Sequence, residues 1–491
     1  MWTRRLLALV GSIVGAAAGC GSPRPSAAPA APPAEAAVPA AASAAAEPAA
    51  APAPLPPGPL ATRVLLIATG LGGARVAISR ADATRDYCAG RIPAFEAVRA
   101  VADARFGCKG RALPGLAELL PEAATALAVV DLAHATPQLK ALAVDGVSFF
   151  ERPAAYPLVL PGAGGARPEL APHLTHFILT GVTAITRATG VECDRRGGAG
   201  WLTEHLRPHF AGADYVHISN EVSIKADCEY PKKSTLKFCS KERDFQALVD
   251  LRANVIELTG NHNRDFGDEP FRRTFEWYRR HGMKTFGGGL TPEGAAAPLI
   301  LPLAGGKQLG ILGFNQACPL KECAKKPGEV GANPYDTARA AAAIQKLRES
   351  VDFVMTTVQF REWDSAEPTP AQTRISRELI DAGSDLVYGS QAHQLQKIEF
   401  YRGKPIFHGL GNLLFDQIHR IGVRQAFFVH HYFFEGRLVQ SVPVFTYMSD
   451  GRQPTIATPE QAAEMRAIVF DDAMLYEQPR TPDSPGPATS R

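Results

Sequence analysis

Net positive charge is nearly absent from this 491-residue sequence: 52 Lys and Arg stand against 49 Asp and Glu, leaving +3. No basic run interleaved with aromatics occurs either, which argues against a nucleic-acid partner. Beyond the first twenty residues no apolar run approaches the ~20 residues of a membrane-spanning helix. The cluster Gly70-Leu71-Gly72-Gly73 matches neither G-x-G-x-x-G nor a P-loop, since no Lys-Ser/Thr pair follows, so it reads as a turn and not as a nucleotide site. What remains is ordinary globular composition, 46% hydrophobic and 21% charged.

The first twenty residues differ from the rest. Arg4 and Arg5 precede an apolar run from Leu6 to Ala18, and small residues then lead to Cys20. This is a positive n-region followed by a short h-region, the pattern of an export signal. The end of it resembles the lipobox of bacterial lipoproteins, with Ala17 where leucine is usual. The expectation is a signal peptide over 1–20, lipidation at Cys20 and attachment to a membrane through that lipid, in the periplasm or on the outer surface. Residues 21–62 are nearly all Ala and Pro, carry only Arg24, Glu35 and Glu47 as charges and contain no aromatic. Such chain cannot bury enough apolar surface to order itself, so a disordered tether up to about 100 Å long is expected. A short disordered tail is expected over 476–491.

Seven cysteines remain besides Cys20. In an exported chain disulfides are the default. Short separations favour Cys88 with Cys108, Cys228 with Cys239 and Cys318 with Cys323, leaving Cys193 over, although spacing does not settle connectivity and a thiolate zinc site is the competing reading.

Residues 63–165 read as a small α/β domain of unassigned role: a strand over Arg63–Ala68, a helix near 93–104 with Phe95, Val98 and Val101 on one face, and an apolar run over 126–132. Residues 170–475 read as a larger layered α/β domain, in which apolar strand-like runs each end in a polar loop. Phe177–Thr180 runs into Gly181-Val182, Tyr215–Ile218 into Asn220-Glu221, Val255–Thr259 into Gly260-Asn261-His262-Asn263, Phe353–Val358 into Gln359–Glu362, and Leu386–Tyr388 into Gly389–His393. Ligands gather at the carboxyl ends of such strands, so these loops are expected to converge.

The segments Leu258–Gly267, Phe286–Gly289, Glu367–Gln372, Asp385–Gln394 and Gly403–Asp416, in this order, resemble the CapA-type poly-γ-glutamate capsule biosynthesis proteins. That family's domain is similar in fold to calcineurin-like metallophosphoesterases, so the resemblance implies a calcineurin-like metallophosphatase-type layered domain over 170–475. It also implies a role in the synthesis, retention or export of an anionic envelope polymer, with that polymer or other capsule-assembly proteins as partners.

The related phosphoesterases hold two metals with Asp, Asn and His ligands. This chain departs from that pattern. Val182 stands where the family has Asp, Asn220-Glu221-Val222 replaces Asn-Leu-Glu, Gln359 replaces a His, and Gly389-Ser-Gln-Ala-His393 keeps the last histidine of Gly-His-His-Pro-His. Two intact metal sites are therefore not expected. The candidates are His262 and Asp265 as catalytic acid and its orienting carboxylate, and Asn220, Asn261, Gln359, Gln391, Asn412 and Arg187 as substrate-binding groups, Arg187 by clamping an anion. One divalent ion on His262, His393 and Glu221 is the metal reading, under which the protein is a metal-dependent phosphoesterase or envelope-polymer hydrolase. The preferred reading has no metal and a pocket that binds through hydrogen bonds. Asn261 and Asn263 are also candidates for left-handed turn positions, and Asp265 for a helix cap.

Overall fold

The computed structural model describes residues 60–470, apart from 121–124, 162–165, 231–234 and 319–321. The expected signal peptide with Cys20, nearly all of the tether and the tail lie outside the described residues. No described helix is long and apolar enough to cross a membrane.

The first sheet orders its strands as Ala112–Leu113, Ala94–Phe95, Ala128–Asp131, Leu65–Gly70 and Leu139–Ala141. All six residues of Leu65–Gly70 are buried, which is why Leu65–Ala68 is continuously apolar and does not alternate. The helix lies at Glu96–Phe106, and its buried face is Val98, Ala102 and Phe106. Val101, expected inside, is 37% exposed. A strict three-residue spacing drifts off a 3.6-residue period, whereas the four-residue spacing from Val98 keeps to one face.

Two further sheets lie face to face. One runs Lys284–Phe286, Val255–Glu257, Tyr215–Asn220, Leu174–Leu179, Gln425–Phe434, Arg437–Met448 and Pro454–Ile456, with the short strands Val182–Thr183 and Asn412–Leu414 attached at one end. Its first four strands are mutually parallel. The other runs Leu299–Leu303, Lys307–Asn315, Phe353–Gln359, Leu386–Ser390, Lys404–Phe407 and Ile398–Tyr401, parallel through its four middle strands. Phe177, Leu179, Val255 and Val429 from the first share one apolar cluster with Leu309, Ile311, Met355 and Tyr388 from the second. Each such side chain stabilises the fold by about 1.5–3 kcal/mol.

Helices cover the outer faces. Cys193, Phe271, Trp277 and Tyr278, from helices Arg187–Arg196 and Asp268–Arg280, pack on the sheet that contains Tyr215–Asn220. Ala340, Ile344, Ile375 and Leu379, from Thr337–Arg348 and Pro370–Ala382, pack on the sheet that contains Phe353–Gln359. The result is the expected layered α/β architecture, helix on sheet on sheet on helix. Pro370–Ala382 begins with a capping box, Thr369 with Gln372, and Pro370 in its first turn, so the segment Glu367–Gln372 is a helix start.

The long strands Gln425–Phe434 and Arg437–Met448 extend far enough that Tyr432, Phe434 and Val439 join the core of the first sheet. All three expected disulfides are present, and Cys193 is buried and unpaired. Burial pushes its thiol up to about 12, which makes it inert.

Candidate functional site

The parallel strands of both sheets end at the same edge. Ser219 is level with Glu257 in one sheet, and Gln359 with Asn315 and Ser390 in the other. The loops that follow therefore meet, as expected. Close backbone approach at this edge needs glycine: a Cβ on Gly181 would lie 2.1 Å from the Gly411 carbonyl oxygen, and one on Gly389 would lie 2.3 Å from that of His408.

Gln359 sits at the centre of the cluster, fully buried. Its Nε2 donates to Glu221 Oε1 at 2.7 Å, to Asn261 Oδ1 at 3.3 Å and to Gln391 Oε1. Three oxygens thus converge on one amide nitrogen that has two hydrogens to give. Two other buried atoms of the same group, Glu221 Oε2 and Gln359 Oε1, have no partner. Burial raises the Glu221 carboxyl above its ordinary pKa, against the opposing pull of His393 and His262.

Both histidines are held by one ring nitrogen. His262 Nδ1 donates to Asp265 Oδ2 at 2.8 Å, and the Phe238 backbone N–H donates to the same oxygen at 2.7 Å. The Phe238 ring stacks on the His262 imidazole with centroids 3.9 Å apart. His393 Nδ1 lies 2.8 Å from Asn412 Oδ1, and Asn412 Nδ2 donates to the His393 and Val423 carbonyls at 3.0 and 3.1 Å. Because the Asn412 amide group is engaged by carbonyls, its oxygen faces the ring, and that assigns the proton to Nδ1. The Nε2 of His393 is left for Glu362, whose Oε1 is 3.5 Å away. Burial works to lower the His393 pKa, but Glu362, Glu221 and Asn412 together outweigh it and the net shift is upward. The Glu362 carboxyl is correspondingly lowered, chiefly by His393.

Gln391 and His393 adopt φ of +84° and +52°, left-handed conformations that cost non-glycine residues about 1–3 kcal/mol each. Asn261 and Asn263, the expected left-handed positions, are not among the positive-φ residues. Asp265 is not a helix cap either, since Gly267 is the N-cap residue of Asp268–Arg280.

Three expected binding residues, Arg187, Asn220 and Asn412, are engaged elsewhere. Arg187 forms an ion pair with Asp416 through both carboxylate oxygens, and its guanidinium lies 4.5 and 5.0 Å from the Phe238 and Phe415 rings. Its charge is already matched, so it is not a free anion clamp. Asn220 is buried and donates to the Val222 carbonyl at 2.7 Å and the Tyr278 hydroxyl at 2.6 Å, which makes it a structural group under helix Asp268–Arg280. Asn412 positions His393 and does not face a ligand. Sequence reasoning gave no part to Phe238 and Phe415, because an aromatic in a loop carries no periodic signal.

The expected metal set of His262, His393 and Glu221 is not realised: among the described residues no three His, Cys, Asp or Glu side chains come together as a metal-binding group. The donor chemistry gives the reason. Val182 is buried and supplies no ligand, and the amide nitrogen of Gln359 fills the point where oxygen ligands converge. The residues present fit a hydrogen-bonding pocket and do not fit a resident metal.

Residues 180–417 match the family described as "Bacterial capsule synthesis protein PGA_cap". The chain is similar to the PGA biosynthesis protein CapA of Bacillus subtilis, 26% identical over 222 residues that cover 45% of this chain and 58% of that one. It is similar also to the capsule biosynthesis protein CapA of Bacillus anthracis, 25% identical over 232 residues, 46% of this chain and 56% of that one. It thus spans a little over half the length of these relatives. Among solved structures, the NAD nucleotidase of Haemophilus influenzae overlaps 60% of this chain and 62% of that one at 12% identity and a TM-score of 0.34, too loosely to carry an argument.

Proposed function

Residues 180–417 belong to the bacterial capsule synthesis family PGA_cap, and from that membership we propose that the chain serves the synthesis, retention or export of a poly-γ-glutamate-type polymer at the cell envelope by binding it. The observation that carries binding over cleavage is the composition of the cluster. Asn261, Gln359 and Gln391 bring amides together at the strand ends, and the nitrogen of Gln359 holds the centre. Amides and a charged imidazole recognise the carboxylates and peptide-like amides of such a polymer through hydrogen bonds. The unpartnered oxygens of Glu221 and Gln359 leave capacity for a ligand. Lipid on Cys20 would hold this site at the membrane, beside other capsule-assembly proteins.

The test is to purify the full-length chain without chelators, measure metal by elemental analysis, and measure binding of oligo-γ-glutamate before and after EDTA. The expected result is chelator-insensitive binding, weakened about tenfold or more, which is ~1.4 kcal/mol, in Gln391→Ala and His393→Ala. About one equivalent of transition metal, lost in His262→Ala and His393→Ala and accompanied by cleavage of the polymer, would replace this reading with a metal-dependent hydrolase.

A further inference from the structure

Glu362 differs from every other member of the cluster. Its side chain is 65% exposed, and it belongs to a surface loop that also carries Trp363, itself 45% exposed. Its Oε1 nevertheless lies 3.5 Å from His393 Nε2 and 3.5 Å from Gln391 Nε2. Both contacts are longer than a well-formed N–H···O bond.

The two nitrogens beneath it are held far more firmly. His393 and Gln391 are 5% and 2% exposed, and the other ring nitrogen of His393 is fixed at 2.8 Å by Asn412. The Gln391 amide oxygen is spent on Gln359, which turns its nitrogen toward Glu362. Both residues carry the strained backbone already described, and such strain persists where the surroundings over-determine a geometry. A rigid pair of donors therefore faces a loosely held, exposed carboxylate.

We propose that His393 Nε2 and Gln391 Nε2 form a carboxylate subsite and that Glu362 is its resident occupant, displaced when a ligand carboxylate arrives. The subsite is read from this chain's own side chains, and the identity of the ligand rests on the proposed function. In a γ-linked glutamate chain each residue presents a free α-carboxylate, which offers the subsite the same pair of acceptor oxygens as the side-chain carboxylate of Glu362. An intramolecular occupant lowers apparent affinity by the fraction of time it holds the site. An exposed ion pair of this kind is weak, so its removal is worth up to about fivefold.

The experiment compares full-length wild type with Glu362→Gln by calorimetric titration with oligo-γ-glutamate at about pH 6, where an imidazole of ordinary or raised pKa is charged. Glu362 is exposed, so the variant leaves the core untouched. The expected result is about three- to fivefold tighter binding by Glu362→Gln, with unchanged urea stability. Equal or weaker binding by the variant would overturn the inference and leave the polymer-binding reading standing. Should neither protein bind the oligomer, that reading fails, and titration with glutarate followed by the His393 imidazole resonances tests the subsite alone. A His393 shift larger in Glu362→Gln than in wild type then supports the subsite, and the lack of one in both proteins removes it.

Discussion

Asn412 holds more of the site together than the residues that face it. One amide spans the His393 ring, the His393 carbonyl and the Val423 carbonyl, all in the interior. Asn412→Ala strands all three groups, and each unsatisfied buried group costs about 1–3 kcal/mol. The expected outcome is a loss of about 2–4 kcal/mol in urea unfolding together with loss of oligo-γ-glutamate binding, whereas Gln391→Ala is expected to lose binding with a smaller change in the urea midpoint. A stability loss in Asn412→Ala without any effect on binding would separate Asn412 from the site. At this scale the sequence was readable where a residue acts through its own loop. Asn261, Gln359, Gln391 and His393 meet because each closes or follows a parallel strand. Arg187 and Asn220 were misread because their partners, Asp416 and Tyr278, are 229 and 58 residues away. Nothing in local spacing records such a pairing.

The elements that build the site differ in what secures them. The strand ends are held by sheet pairing, but the segment that brings Phe238 onto His262 is held by the Cys228–Cys239 disulfide and a two-residue strand pairing, Ser223–Ile224 with Cys239–Ser240. With a sequence separation of 11, that disulfide is expected to contribute about 3 kcal/mol by the loop-entropy estimate. The double variant Cys228→Ser, Cys239→Ser should lower thermal stability accordingly. It should also weaken ligand binding, because the Phe238 N–H that steadies Asp265 comes from the residue next to Cys239. Unchanged binding alongside lowered stability would show that Asp265 orients His262 without help from this segment. The disulfides were legible only in part: short separations favoured the three pairs, but the structure settles the connectivity and removes the competing thiolate zinc reading for them. The capping box at Thr369 was written in the sequence too, inside a segment set apart only by its family resemblance.

For the whole molecule, the seam that matters joins Leu174–Leu179 to Gln425–Phe434, the strand that also reaches the first sheet. His176 Nε2 and His430 Nδ1 lie 2.7 Å apart across it. Burial lowers them to about 4 and about 3, and His430 is lowered further by His176, His209 and His431. A histidine with a depressed folded pKa binds fewer protons folded than unfolded, so its contribution is intact above about pH 6.5 and is lost as pH falls toward the folded values. The urea midpoint is therefore expected to drop between about pH 6.5 and pH 4, and His176→Phe should flatten that dependence. A wild-type midpoint constant over this range would mean that the pair does not titrate with unfolding. Composition, strand-length apolar runs and the polar residues that end them determined the layered α/β class and the edge where the loops meet, because these depend on burial and short-range spacing, while short separations favoured the cysteine pairing without settling it. Only the tertiary structure decided that Arg187 is neutralised, that Gln359 fills the centre of the cluster and that Glu362 returns over His393. Those outcomes depend on which distant side chain reaches a point first, and no local pattern in the chain encodes that.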